Sequence, residues 1–253
     1  MNSSAPFDVQ ASPPHLAIGT LAERRFFGAM AWAMLVVVFI GFSRSFFLRP
    51  LFPDHAAASE TIFFVHGAVF AAWFVLLVVQ TSLVANERIG VHRRIGPFGA
   101  LLAVAMLVLG LWGSLVAAAR PEGFVAVPVP PLQFLAIPIF DVGLFTVFVA
   151  LALGQRRNPQ AHKRWMLLAT INLLAAAIAR WPGVLDYGPP AFWGLTDLFI
   201  VALALWDFRS RGRLHPVTLW GGLAIILSQP LRMVLAGTDG WDAFARWATG
   251  LVG

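Results

Sequence analysis

Apolar runs separated by short polar joints organise this chain from about residue 26 to about residue 236. The runs cover about 26–48, 61–85, 97–119, 131–154, 164–181, 190–208 and 216–236. At a rise of ~1.5 Å per residue, even the shortest spans most of a ~30 Å hydrocarbon layer as a helix. The pattern predicts an all-α fold: a polytopic membrane helix bundle of about seven transmembrane helices. Pro138 is expected to kink the fourth helix. The fifth is short and closes on Arg180-Trp181-Pro182, and Gln229-Pro230 marks a candidate break in the seventh.

Charge placement orients the bundle. Arg24 and Arg25 precede the first run, and Arg88, Arg93 and Arg94 lie between the second and third. Arg156, Arg157, Lys163 and Arg164 lie between the fourth and fifth, and Arg209, Arg211 and Arg213 between the sixth and seventh. That places twelve of the eighteen basic residues on one side. The positive-inside rule then puts the N-terminus in the cytoplasm and the C-terminus outside, as a multi-pass protein of a bacterial inner membrane. The opposite joints are rich in proline and aromatic residues. Residues 1–20 form a polar tail without the apolar core of a secretory signal. Residues 21–237 form the transmembrane domain. Residues 238–253 carry Trp241, Phe244 and Trp247 at helical spacing and read as an amphipathic tail in the outer interface.

Composition narrows the chemistry. The chain of 253 residues is 59% hydrophobic and only 12% charged, about half the charge of a soluble domain. It lacks cysteine, which removes disulfides, thiolate metal sites and cysteine nucleophiles. Its net charge of +6 falls in the joints, where it serves topology and lipid headgroups, and no nucleic-acid motif accompanies it. Nucleic acid is therefore not an expected partner; the lipid bilayer is. The elbow GxSxG, the zinc motif HExxH and a Schiff-base lysine in the last run are all missing.

Two constellations remain. The triplets His92-Arg93-Arg94 and His162-Lys163-Arg164 each introduce an apolar run on the cytoplasmic side. One reading is topology alone. The other has two neutral imidazoles, from helix pairs related by a weak repeat, ligating one metal or heme. A ligand histidine needs an acceptor on its other nitrogen, and Glu87 is the only acid near in sequence. The second constellation lies in the outer third of the layer: His66, Asp141, Arg180, Asp197 and Arg232, with Ser228 and Gln229. Ionised groups within a bilayer cost roughly 2.5–3.5 kcal/mol at the centre, so these side chains are expected to turn inward. They read either as ion pairs that fix helix register or as a polar binding pocket. Asn172 and Gln80 are expected to bond helix to helix. Asp207 is expected at the interface beside Arg209, and His215 at a helix entry.

Short stretches carry resemblances. His162-Lys163-Arg164-Trp165-Met166 resembles the helix start of a membrane family that assists maturation of heme–copper terminal oxidases. His92-Arg93-Arg94-Ile95-Gly96 is similar to helix starts of heme A synthases and related transmembrane cytochromes, where the histidine faces heme. The chain as a whole resembles a bacterial family of uncharacterised seven-span proteins. Its architecture is also similar to that of alkaline ceramidase-type hydrolases, which hold zinc through histidines and an aspartate. This chain lacks the pair of histidines their last span supplies.

The resemblances imply an accessory subunit or assembly factor beside a cofactor-bearing respiratory or photosynthetic membrane complex; the chain's own cofactor is left open, with heme one candidate. Two alternatives stay open: an enzyme or binding protein for a lipid or small amphiphile, using the outer residues, and a heme or metal protein using His92 and His162.

Overall fold

The structure, a computed structural model, describes residues 20–55, 60–124 and 129–252; the tail expected over 1–20 lies outside them except for Thr20. In chain order the helices are α1 Leu21–Phe42, α2 Thr61–Ala85, α3 Ile89–Ala119, α4 Pro131–Phe134 and α5 Ala136–Gly154. Then follow α6 Pro159–Asn172, α7 Leu174–Ile178, α8 Pro189–Arg211, α9 Pro216–Ala236 and α10 Asp239–Thr249. No strand occurs among the described residues. Six units are long and apolar enough to cross a membrane: α1 with its extension to Phe47, α2, α3, α4–α5, α8 and α9. This is the signature of a multi-pass membrane protein.

Local sequence sets the helix starts. Thr20, Asn158, His215 and Thr238 each cap a helix by accepting a backbone N–H through the side chain. Pro159 and Pro216 occupy first helical positions, where a missing N–H costs nothing. Gly212 ends α8 in the left-handed conformation, φ 69°. α3 begins eight residues before the expected start at 97, so His92, Arg93 and Arg94 lie within its first two turns and Pro97 lies inside it.

On α3 the outward and inward faces differ by size more than by polarity, whereas α9 turns Thr218, Ser228, Gln229 and Arg232 inward. On α3, Leu101, Val104, Val108 and Trp112 form an exposed stripe, while Ala103, Gly110, Gly113 and Ala117 face inward. On α9 the exposed stripe is Trp220, Leu223, Leu227, Leu231 and Val234. Large apolar residues outside and small ones at helix contacts are the arrangement that lipid selects.

Two breaks depart from the expected spans. The fourth is interrupted at Leu135, one turn ahead of Pro138. Proline lacks the N–H and its ring crowds the carbonyl four residues back, here that of Phe134, so the break falls there. The fifth is split at Leu173 into α6 and α7, with no proline or glycine at the break. This segment is the interior rod of the bundle: Leu167 through Ala175 are buried without exception. α7 lies directly on the α1 backbone, where a Cβ at Gly41 would stand 2.2 Å from the Ala177 carbonyl oxygen. α9, by contrast, runs unbroken through Gln229-Pro230. α10 docks through Trp241, Ala245 and Ala248, and the Trp241 Nε1–H donates to the Leu132 carbonyl at 2.8 Å. Phe244 and Trp247 stay exposed.

Candidate functional site

Three groups of polar side chains lie within the bundle, and they differ in how fully they are satisfied. The first is at the end opposite the basic joints. Arg232 of α9 donates to the Asp141 carboxylate of α5 at 2.6 Å, to Ser228 Oγ at 2.8 Å and to the Ile137 carbonyl at 3.4 Å. Asn172, at the break between α6 and α7, donates to the Asp141 carbonyl at 2.7 Å. The Arg232 guanidinium also faces the Trp193 and Phe140 rings. Asp197 pairs with Gln229, whose amide donates at 2.9 Å, and not with an arginine. Arg180, just past the end of α7, donates to the Ala176 carbonyl of that helix and lies 4.5 Å from the centre of the Phe42 ring. The His66 Nδ1–H donates to the Leu109 carbonyl at 3.3 Å, and its ring stacks on Phe70. The five residues expected to form one outer pocket therefore resolve into one bonded pair, Asp141–Arg232, an Asp197 bonded to Gln229, and two residues held by backbone carbonyls, His66 and Arg180. Cavities of about 210 Å³ and 770 Å³ open elsewhere, the first beside Leu132, Thr238 and Asp242, the second between α1 and α2.

The second group clamps the basic end. Arg164 and Asp207 are fully buried and form a bidentate ion pair. Asp207 also accepts from Thr218 Oγ1 at 2.6 Å and from the His215 backbone N–H at 3.1 Å. Arg164 donates to Gln160, Gln160 to Glu23, and Lys163 is bonded to Glu23. One network so joins α1, α6, α8 and α9. Asp207 is thus a core residue and not an interfacial partner of Arg209, because helical rotation turns it inward toward α6. His215 caps α9, as its position before Pro216 implied: its Nδ1 accepts the Val217 N–H at 3.1 Å. An acceptor nitrogen must be unprotonated. Burial, with Arg164 and Arg211 nearby, pushes the His215 imidazole down to about 4.

The third group joins the two histidines of the triplets. His92 and His162 are each the fourth residue of their helices, α3 and α6. Their ring centres lie 6.4 Å apart with planes at 83°. His162 Nδ1 is 2.8 Å from the Ala152 carbonyl. A carbonyl only accepts, so Nδ1 carries a proton, and Nε2 is the ring nitrogen not engaged by that bond. Gln80 of α2 donates to the His92 backbone carbonyl at 3.4 Å. His92 Nδ1 and Gln80 Oε1 are buried and have no hydrogen-bond partner. Leaving a buried polar atom unmet costs ~1–3 kcal/mol, so these two call for a physical explanation, as do Asn172 Oδ1 and Trp193 Nε1 beside Arg232, which are also buried and unpartnered.

The triplets are consequently more than topology. Lys163 and Arg164 build the clamp, while Arg93 and Arg94 remain exposed. The acceptor expected at Glu87 is instead the Ala152 carbonyl, and Glu87 pairs with Arg24 at 2.9 Å. Gln80 and Glu23 carry no motif signal; only fold proximity reveals them. Among the described residues no group of three or more histidine, aspartate or glutamate side chains is disposed to hold a metal ion. A centre here would rest on two imidazoles and a third donor from Gln80. The two imidazoles alone could serve as axial ligands of heme, and with Gln80 Oε1 as third donor they could hold a transition metal ion.

No protein-family model matches the chain, and neither a curated protein nor a solved structure is similar to it.

Proposed function

We propose that this protein is an integral membrane accessory subunit or assembly factor of a cofactor-bearing membrane complex, and that it holds heme or a transition metal at His92 and His162. One observation carries the reading: two histidines seventy positions apart meet across α3 and α6, with His92 Nδ1 buried and unpartnered. His162 is oriented by a carbonyl on its Nδ1–H, the outer-shell arrangement that fixes a ligand imidazole. When bound, the group supplies redox or Lewis-acid chemistry. The chain supplies two oriented imidazoles and the Gln80 amide. The basic joints around them support a cytoplasmic placement of this end. α6 and α7, end to end, span about 30 Å, enough for a seventh crossing that would leave the C-terminus outside.

The reading as a lipid-directed enzyme at the outer residues has less support, because Asp141 and Arg232 are consumed by each other. Co-isolation in mild detergent with crosslinking tests the proposal. A cofactor-bearing complex should be recovered with the wild-type chain. A chain that isolates alone under every crosslinking condition rules out the accessory role.

A further inference from the structure

An open groove of about 770 Å³ runs between α1 and α2 toward the basic end. Its wall is one helical face of α2, Val75, Val78, Val79, Ser82 and Leu83, spaced three and four residues apart, opposed by Trp32 and Leu35 of α1. Val75 lies ten residues before the end of α2 at Ala85, about 15 Å along the axis. That depth is half of a ~30 Å hydrocarbon layer, the reach of one leaflet. The wall is apolar through that depth and turns polar only at its mouth, with Ser82, Asn86 and Arg88.

The mouth has a distinct charge. Glu87, the acid in this turn, is taken by Arg24, which donates to it at 2.9 Å and to the Ala85 carbonyl at 3.2 Å. Arg88 is exposed, and its side chain forms no hydrogen bond, ion pair or ring contact among the described residues. Its backbone is the start of α3, which has no side-chain cap and no acid in its first turn. An uncapped helix start presents N–H groups and a positive dipole end to an anion. An apolar slot one leaflet deep thus ends on an unpaired guanidinium beside a helix start.

We propose that this groove is a binding site for an anionic glycerophospholipid of the leaflet at the basic end. One acyl chain lies along Trp32, Val75 and Val79, and the phosphate sits at Arg88. Phosphate recognition at a basic pocket between membrane helices needs a cation at headgroup depth and an apolar channel below it, and both are present. The inference is independent of the histidine pair.

Trp32 lines the slot, so its fluorescence reports the occupant. The protein would be reconstituted in phosphatidylcholine with rising fractions of phosphatidylglycerol or phosphatidylcholine bearing brominated acyl chains. The Trp32 signal is the difference between wild type and Trp32→Phe. The brominated anionic lipid should quench that signal at about fivefold lower fraction than the zwitterionic one, the size of one guanidinium–headgroup attraction. Arg88→Gln should remove the preference. Arg213→Gln, which removes an exposed charge from another joint of the same end, should leave it intact. In the wild type the preference should fade in 1 M salt. Equal quenching by both lipids, or a preference that survives Arg88→Gln or high salt, overturns the site. Absence of quenching by either lipid would show that another protein surface covers the groove, and would overturn it as well.

Discussion

The Asp141–Arg232 pair and the His92–His162 pair occupy opposite ends of one bundle, and their surroundings are built on opposite rules. Around Arg232 each donor nitrogen finds an acceptor: a carboxylate, a hydroxyl and two carbonyls. At the other end the unmet atoms are His92 Nδ1 itself and Gln80 Oε1, whereas beside Arg232 they are Asn172 Oδ1 and Trp193 Nε1, which belong to neighbours and not to the pair. A saturated buried pair holds helices in register, and its loss leaves a bare charge. An unsatisfied pair contributes little to folding and keeps its nitrogen lone pairs uncommitted. Intramembrane charge alone therefore does not separate the two ends; whether the pair's own side-chain atoms are satisfied does.

The contrast can be broken most forcefully at Arg232 or Asp207. Arg232→Met strands the Asp141 carboxylate, and Asp207→Ala strands Arg164; each should cost about 3–5 kcal/mol of stability. The double change Asp141→Leu with Arg232→Met should recover most of that loss, measured as thermal midpoints in detergent. A double variant no better than the single would show that the pair does more than balance charge. Next in size is Gly41→Ala. It presses a methyl onto the Ala177 carbonyl and should cost about 1–3 kcal/mol, read by the same melts.

A pH series sharpens the comparison at the basic end. Folding holds the His215 imidazole at about 4, below its unfolded value near 6.5. The unfolded chain thus takes up the proton first as pH falls. The stability from neutral His215 is complete above about 6.5 and is lost progressively toward about 4. The midpoint should drop over that window, and His215→Asn, which keeps a capping oxygen without titrating, should flatten its share of the drop. The smallest effects belong to the histidine pair. His162→Ala removes one bond, to Ala152, and should cost about 0.5–1.5 kcal/mol; His92→Ala loses no side-chain hydrogen bond and should be close to neutral.

The sequence showed the helices well, because lipid demands apolar length and the runs are written openly in it. The break ahead of Pro138 was legible to within a turn, since the clash of a proline reaches a fixed distance back. The break at Leu173 was not, because no residue there disfavours a helix. Asp141 and Arg232 were legible as inward-turning charges, but Asp197 was not assignable to Gln229. Asp207 was misplaced because its neighbour Arg209 is close along the chain, whereas its partner Arg164 is forty-three positions away. Pairing depends on helix rotation and on which helices touch, and neither is written in residue order. The histidine triplets were visible as a repeat. That they meet is a fact of the fold.

The most direct measurement is the absorption spectrum, with metal analysis, of gently purified wild-type protein beside His92→Ala and His162→Ala. A heme band or a stoichiometric metal in the wild type, lost in both variants while their melts stay near wild type, is the predicted result. A wild-type protein without heme or metal, or a centre that survives both substitutions, would contradict the assignment of the histidine pair as the ligand site.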